Sequence, residues 1–237
     1  MRHNLLIIGI LILLGLRIPG LQAQTVTDIE GNVYKTVKIG TQEWMAENLK
    51  TTKYNDGTAI PKMQSVEDQS GLTTGSYTIY SHSRVNGLNS DAEVLDAYGA
   101  LYNWYAVETG NLCPAGWRVP TDEEWTTLTD YIGESAGDKL KTVRTSPDAH
   151  PRMERPDADA TDEYGFSALP GGYCLPEGTC TNLGFTGHWW TGSNDDGSLL
   201  TTFAWYRSIL INTSNVNRYS NNKEFRYSVR CVKINPQ

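Results

Sequence analysis

The chain has few of the residues that catalysis and metal binding most often use. Its 237 residues include four histidines and four cysteines, and no two cysteines have the CxxC spacing of redox and zinc sites. His82, His150 and His188 belong to no recognisable Ser/His/Asp or Cys/His arrangement, and no pair of carboxylates is marked by its spacing. The sequence therefore predicts no catalytic set, and no cofactor apart from calcium.

Long hydrophobic runs are also lacking, except at the N-terminus. Residues 1–23 carry Arg2 and His3, then an apolar run over residues 5–16, then a short end before Gln24. This order is that of a secretory signal peptide, cleaved near Ala23. The run is too short to cross roughly 30 Å of hydrocarbon, which argues against a membrane anchor. We expect residues 24–237 to form a single domain without a membrane span, exported to the periplasm, the cell surface or the medium.

An excess of positive charge is absent as well. The formal charge is −7, from 20 Lys and Arg against 27 Asp and Glu. Loss of Arg2 and Arg17 with the signal peptide makes the charge more negative still. Because nucleic acids and anionic membrane surfaces attract basic proteins, neither is an expected partner.

The four cysteines are an even set in a chain predicted to be exported, so disulfides are expected. Cys174 and Cys180 enclose LPEGT, whose proline and glycine suit a small closed loop. Cys113 and Cys231 would then join the centre of the chain to its C-terminal end. Four cysteines allow three pairings, and a metal or redox pair is the alternative interpretation.

Two segments predict helices. In residues 113–125, CPAGWRVPTDEEW, a Pro-Ala-Gly turn precedes Thr121, and Glu124 stands three residues later, as in a capping box. A helix is therefore expected from Thr121 to about Gly133. Residues 91–108 have apolar side chains at helical spacing and predict a second amphipathic helix that stops near Gly110.

Strands dominate both ends of the chain. Residues 25–40 contain two alternating runs around Glu30-Gly31-Asn32, which predicts a β-hairpin, and residues 42–45 extend it. Further strands are expected within residues 165–173, 189–190, 203–206, 208–211 and 227–233. Because strands and helices are segregated, the predicted class is α+β, with two main helices packed on antiparallel strands, long loops and disulfide staples.

The stretch most typical of a ligand site is residues 189–207, WWTGSNDDGSLLTTFAWYR, where aromatic rings lie near amides and carboxylates. Sugars are bound by this mixture, because an aromatic face covers the apolar side of the ring while polar groups hold its hydroxyls. Asn194, Asp195 and Asp196 also carry oxygens suited to calcium.

Alternatives to this interpretation are that Trp190 and Trp205 belong to the core and that NDDG is a hairpin turn. His188 is expected to be a packed histidine. Residues 212–224, rich in asparagine, form the second candidate stretch. The candidate ligand-binding residues of the two stretches are Trp189, Trp190, Asn194, Asp195, Asp196, Trp205, Tyr206, Arg207, Arg218 and Tyr219.

Several of these motifs together resemble the Fibrobacter succinogenes major paralogous domain, a family of exported bacterial proteins. The similar motifs occur in order between residues 25 and 233: TVTDIEGNVYKTVKIGTQEWMAENLKTTKYNDGTAIP, YGALYNWYAV, CPAGWRVPTDEEW, DEYGFSALPGGY, WWTGS, AWYRSI and YSVRCVK.

This family is in turn distantly similar to the C-type lectin-like and formylglycine-generating-enzyme fold, in which an RxPTxxEW helix start and a terminal RC strand recur. The matching residues here are Arg118, Pro120, Thr121, Glu124, Trp125, Arg230 and Cys231. The resemblance implies a compact mixed fold with its termini close together, long loops on one side, and a Cys113–Cys231 bridge comparable to the long lectin bridge.

Function is carried over less readily than fold. The generating enzymes hold copper with a cysteine pair just before the RC strand, where this chain has Arg226, Tyr227 and Ser228. The sugar-binding calcium triplets of lectins are not intact either. We therefore expect an exported, non-catalytic binding or adhesion module that recognises a glycan or a surface protein through its loop face. An oxidase or hydrolase on the same scaffold, and a structural subunit of a surface assembly, are the alternatives.

Overall fold

The computed structural model of the protein describes residues 24–63, 73–198 and 201–234. The predicted signal peptide lies outside the described residues. In chain order the strands are β1 (Thr25–Thr27), β2 (Val33–Ile39), β3 (Gln42–Met45), β4 (Tyr77–Thr78), β5 (Leu101–Tyr102), β6 (Trp117–Arg118), β7 (Gly171–Cys174), β8 (Cys180–Leu183), β9 (Thr186–Asn194), β10 (Phe203–Leu210), β11 (Asn217–Asn222) and β12 (Val232–Lys233). The helices are α1 (Asp91–Tyr98), α2 (Trp104–Glu108), α3 (Asp122–Ile132) and α4 (Ala136–Leu140), with a 3₁₀ turn at His82–Arg84.

Most of these strands belong to two five-stranded sheets, ordered β1-β2-β3-β12-β6 and β11-β10-β9-β7-β8, while β4 pairs with β5. Neighbouring strands are antiparallel except β7 and β9. Strands from the two ends of the chain, β1 and β12, lie in the same sheet. The protein is thus mostly β with a few short helices. The predicted α+β class with two main helices is only partly right.

The predicted hairpin at the start of the domain is confirmed. β1 pairs with β2 in the register Thr27 to Val33. Between them the Asp28 carboxylate accepts the backbone N–H groups of Glu30 and Asn32, both at 2.9 Å. Such local side-chain to backbone bonds close a turn without help from the rest of the fold.

The helix predicted over residues 91–108 is interrupted and becomes α1, β5 and α2. Gly99 ends α1 with a φ of +80°, and a Cβ there would lie 2.7 Å from the Cβ of Asn48. After this turn Tyr102 pairs with Tyr77 of β4, and Asn103 caps α2 by accepting the N–H of Ala106. Helical spacing of apolar residues persists across the break, because each piece buries side chains: α1 in one core cluster, and β5 and α2 in another. The prediction of one continuous helix was therefore wrong.

The start of α3 matches its prediction. The Thr121 hydroxyl accepts the N–H of Glu124, and the Glu124 carboxylate accepts the N–H of Thr121. Glu124 also accepts a hydrogen bond from Arg118 at 2.6 Å, which connects the helix to β6. Trp125 and Leu128 bury the inner face of α3.

Two disulfides staple the domain, Cys113–Cys231 and Cys174–Cys180, and the favoured pairing is confirmed. The first spans 118 residues and joins the turn before β6 to the residue before β12. Disulfides persist in oxidising compartments, so both bridges fit a location outside the cytoplasm. In the described ranges, no helix has the length and apolar character needed to cross a membrane.

Strand β9 lies between the two main core clusters. Because side chains alternate along a strand, Trp189 packs with Trp125 and Phe166 on one side, while Trp190 packs with Tyr227 on the other. A strand buried on both faces can carry consecutive apolar residues, such as this WW pair, whereas apolar and polar residues alternate along a half-exposed strand.

Arg230, of the terminal RC motif, is a buried structural residue. Its side chain is fully buried and donates to the backbone carbonyls of Phe166 and Ser167 and to the Asn48 side chain. Burial lowers the pKa of Arg230 to about 9. Asn48 in turn accepts the indole N–H of Trp189, so the motif holds three distant segments together.

Candidate ligand-binding site

Two of the predicted ligand residues, Trp189 and Trp190, are core residues. Neither is exposed to solvent. Their indole N–H groups donate to Asn48 Oδ1 at 2.9 Å and to the Tyr102 carbonyl at 2.8 Å. Their aromatic faces and donors are thus already used inside the protein, and the prediction that these rings meet a ligand is corrected.

Three more predicted residues, Trp205, Arg207 and Arg218, are linked to α3 through Asp122. Arg207 donates to Asp122 Oδ1 at 2.7 Å, and Arg218 donates to Asp122 Oδ2 at 2.7 Å. The Arg218 guanidinium lies 3.4 Å from the centre of the Trp205 ring. Burial lowers the pKa of Arg207, and the Asp122 carboxylate opposes that shift. This network holds α3 against β10 and β11, so its groups are already paired.

The calcium expectation concerned Asn194, Asp195 and Asp196, at the end of β9. Asp195 is buried, while Asn194 and Asp196 are exposed, so the three side chains do not share one environment. Across the described ranges, no group of three or more His, Cys, Asp or Glu is placed to hold a metal ion. Calcium binding stays a prediction.

Asn194 instead lines a cleft of about 510 Å³ beside the Cys113–Cys231 bridge. The cleft is bordered by Trp104, Trp117 and Gly192. Both indoles are almost completely buried, so little of their faces reaches the opening. The cleft brings together the C-terminal end of β9 and the turn before β6, but it contains only one of the predicted ligand residues.

The remaining predicted residues, Tyr206 and Tyr219, belong to a row of aromatic rings that crosses four neighbouring strands. In sheet order the row is Tyr219 on β11, Tyr206 on β10, His188 on β9 and Tyr173 on β7. Successive ring centroids are 5.9, 5.6 and 4.8 Å apart. These separations are close to the spacing of adjacent strands, so each strand contributes one ring. We call these four residues the aromatic row.

The aromatic row is partly open to solvent. Tyr219 is 51% exposed, and the other three side chains are half-buried. The interplanar angles between neighbours run from 36° to 62°, so the rings form a corrugated surface and not one flat plane.

Tyr227 supports the row from within the protein. Its ring packs on His188 with a centroid distance of 5.3 Å and on Tyr206 at 4.6 Å. Its hydroxyl accepts a hydrogen bond from Asn221 Nδ2 at 2.8 Å. These contacts fix two of the rings, because a buried side chain with a hydrogen-bonded tip has little freedom to move.

His188 and Tyr206 of the row, and Tyr227 behind it, are uncharged at neutral pH. Burial raises the pKa of Tyr206 and of Tyr227, so both phenols keep their protons. Burial also lowers the pKa of His188 to about 4, so the imidazole is neutral. The surface therefore combines aromatic faces with neutral hydroxyl groups, which is chemistry that suits a sugar ring.

Sequence reasoning missed Tyr173 and His188 as members of this site. Tyr173 lies in the GGY segment, and His188 was interpreted as a packed histidine, which is correct for its contacts with Tyr227. Alternation along β9 and β10 offered one clue. The side chains next to His188 and Tyr206 in sequence point to the opposite face of the sheet, so His188 and Tyr206 can share one face. The order β11-β10-β9-β7, however, places Tyr173 next to His188 across a parallel pair, which local patterns do not reveal.

Fold and site together define a class of protein: a mostly β, doubly disulfide-bonded domain with a row of aromatic rings across one sheet. The chain belongs to the Fibrobacter succinogenes major domain family, whose model matches residues 37–233. The family suggested by the motifs is therefore confirmed. The matched range contains the aromatic row and both disulfides. No curated protein and no solved structure matches the chain.

Proposed function

We propose that the protein is an exported, non-catalytic binding module that recognises a glycan through the aromatic row. The observation that carries this proposal is the contiguity of Tyr173, His188, Tyr206 and Tyr219 on one partly open surface. Aromatic faces bury the apolar side of a sugar, and hydroxyl and amide groups hold its polar edge.

Two further features support a binding role. Tyr227 holds the central rings in place before a ligand arrives, and such preorganisation lowers the entropy lost on binding. The Cys174–Cys180 disulfide restrains the sheet that carries the row, because it joins β7 to β8 beside Tyr173. A rigid aromatic surface suits recognition of an extended chain outside the cell.

Binding by the mature chain, residues 24–237, to a glycan array and then to the selected oligosaccharides by calorimetry tests the proposal. Replacing Tyr219 or Tyr206 with Ala is expected to weaken binding by about 1 kcal/mol, or roughly fivefold, since one stacking ring is lost. Tyr131→Ala is the matched control, because Tyr131 is 61% exposed but lies on α3, outside the row. An array without signal, with and without calcium, would refute the proposal.

We also propose that the fold is C-type lectin-like. Its support is the pairing arrangement that puts β1 and β12 in one sheet, together with the long Cys113–Cys231 bridge and the capped helix after β6. An experimental structure superposed on a C-type lectin-like domain tests this. Matching strand order and bridge position would support it, and a different strand order would reject it.

A further inference from the structure

A lysine follows the strand that carries the most exposed ring of the row. Lys223 comes directly after β11, and its backbone N–H donates to the Thr202 carbonyl at 2.8 Å, which continues the pairing of β10 with β11. Because side chains alternate along a strand, Tyr219 and Asn221 share one face of β11, about 7 Å apart. Lys223, in the turn that follows, lies over Trp104, which belongs to the same core cluster as Tyr227.

The environment of Lys223 is unusual for a charged group. The residue is 7% exposed, and its ammonium lies 4.4 Å from the centre of the Trp104 ring. Within the described part of the chain, the ammonium has neither a carboxylate nor a hydrogen-bond acceptor as a partner. An aromatic face attracts a cation but accepts none of its three N–H groups in full, so the ammonium keeps unused donors.

Two basic residues on β10 and β11 differ from Lys223 in this respect. Arg207 and Arg218 share the carboxylate of Asp122. Arg226, which pairs with Cys174 of β7, has no ion pair either, but its guanidinium donates to the carbonyls of Leu175 and Pro176. Among the described residues beside the aromatic row, Lys223 is thus the basic residue whose charged group has neither a carboxylate nor a carbonyl as a partner. A nearly buried charge without an acceptor is costly unless a ligand or water supplies one.

We infer that the aromatic row takes an anionic sugar, with Lys223 binding its acidic group. The acidic group is a carboxylate, as in a uronic acid, or a sulfate ester, since both offer oxygens to an ammonium. This inference rests on the proposed glycan-binding function and adds the substrate class. One ring of the oligosaccharide stacks on Tyr219 and Tyr206, and the acidic group of a sugar further along the same oligosaccharide lies beyond Asn221 at Lys223.

The net negative charge of the chain means that binding of an anionic sugar has to come from the site itself. The chain carries a formal charge of −7, so it repels anions at long range and offers them little non-specific attraction. Binding of an anionic sugar therefore depends on a local positive group, and added salt is expected to weaken it.

The test is calorimetry of the mature chain with three oligosaccharides of equal length: a neutral one, a uronic-acid one and a sulfated one. The wild-type chain is expected to prefer the anionic ligands, and comparison of the two identifies which acid is recognised. Lys223→Gln should weaken anionic binding roughly tenfold, because a charge-assisted hydrogen bond is lost, and should leave neutral binding unchanged. Lys223→Arg should retain most of the anionic preference.

Lys35→Gln is the matched control, because it removes an exposed positive charge from β2, in the other sheet. Melting curves of all variants establish that they are folded. If Lys223→Gln binds the anionic sugars as tightly as the wild type, or if the wild type has no anionic preference, the inference is overturned while glycan binding stands. If no oligosaccharide binds at all, the inference and the proposed function fall together.

Discussion

The long bridge between Cys113 and Cys231 is predicted to contribute more to the free energy of unfolding than the short Cys174–Cys180 bridge. It closes a loop of 118 residues. In the chain-entropy account, a closed loop of that length restricts the unfolded chain by about 5 kcal/mol at room temperature. The Cys174–Cys180 bridge has a sequence separation of 6, and the same account assigns it about 2 kcal/mol.

Cys113→Ser, Cys231→Ser and the double variant measure the long bridge by urea unfolding. Each single change removes the same bridge, so both should lower the free energy of unfolding by a similar amount, and the double variant should lower it little further. Cys174→Ser together with Cys180→Ser serves as the comparison and should cost less than half as much. The two single variants also leave one unpaired thiol, which the double variant lacks.

Losses that add in the double variant would refute this reasoning, because additivity means that the two cysteines act independently. Equal losses from the long and the short bridge would refute the chain-entropy account while leaving the pairing intact. The free energies are compared at one temperature and with a common denaturant slope, since a changed slope signals a changed unfolded state.

Two further predictions concern the scaffold. Asp122→Ala leaves the buried Arg207 without its carboxylate and should lower the free energy of unfolding in urea by about 3 kcal/mol. Arg218→Ala, at the exposed end of the same network, should lower it by less than about 1 kcal/mol. Similar losses for both variants would contradict the difference in burial between Arg207 and Arg218. The pKa of His188 is lowered to about 4 in the folded state. Between that value and the ordinary histidine pKa of about 6.5, the unfolded chain binds more protons than the folded chain. The free energy of unfolding should therefore fall as the pH drops from about 6.5 to about 4. His188→Gln should remove that part of the pH dependence, and an unchanged pH profile would show that other groups produce it.

Both predictions bear on the function, because His188 belongs to the aromatic row and Asp122 supports the strands beside it. The Asp122 network holds β10 and β11 against α3, and these strands carry Tyr206 and Tyr219. Loss of the network is therefore expected to disturb the row through the two strands that carry it. Binding measurements on Asp122→Ala need the unfolding data beside them for this reason.

Local features of the fold were predictable because the interactions that form them lie within a few residues. The capping box of Thr121 and Glu124 and the turn closed by Asp28 both depend on bonds between neighbours. The pairing of Cys174 with Cys180 is local in the same sense. The family, too, was readable, because its motifs recur in order along the chain.

The break at Gly99 was not predictable from spacing. Apolar residues continue at helical intervals on both sides of it, and only the close approach of Asn48 shows why the chain turns there. The burial of Trp189 and Trp190 on opposite sides of β9 was equally hard to predict from the sequence. Adjacent tryptophans fit an exposed ligand surface as well as a strand covered on both faces.

The sequence by itself determined the family, the predicted export, the hairpin at the start, the start of α3 and a favoured disulfide pairing. Only the tertiary structure decided which aromatic residues are core and which form a surface. The physical reason is strand order: Tyr173, His188, Tyr206 and Tyr219 become neighbours through pairing between strands far apart in the chain. Lys223 likewise meets Trp104 only because β11 ends beside α2. Such contacts depend on register and sheet order, which short-range patterns do not contain.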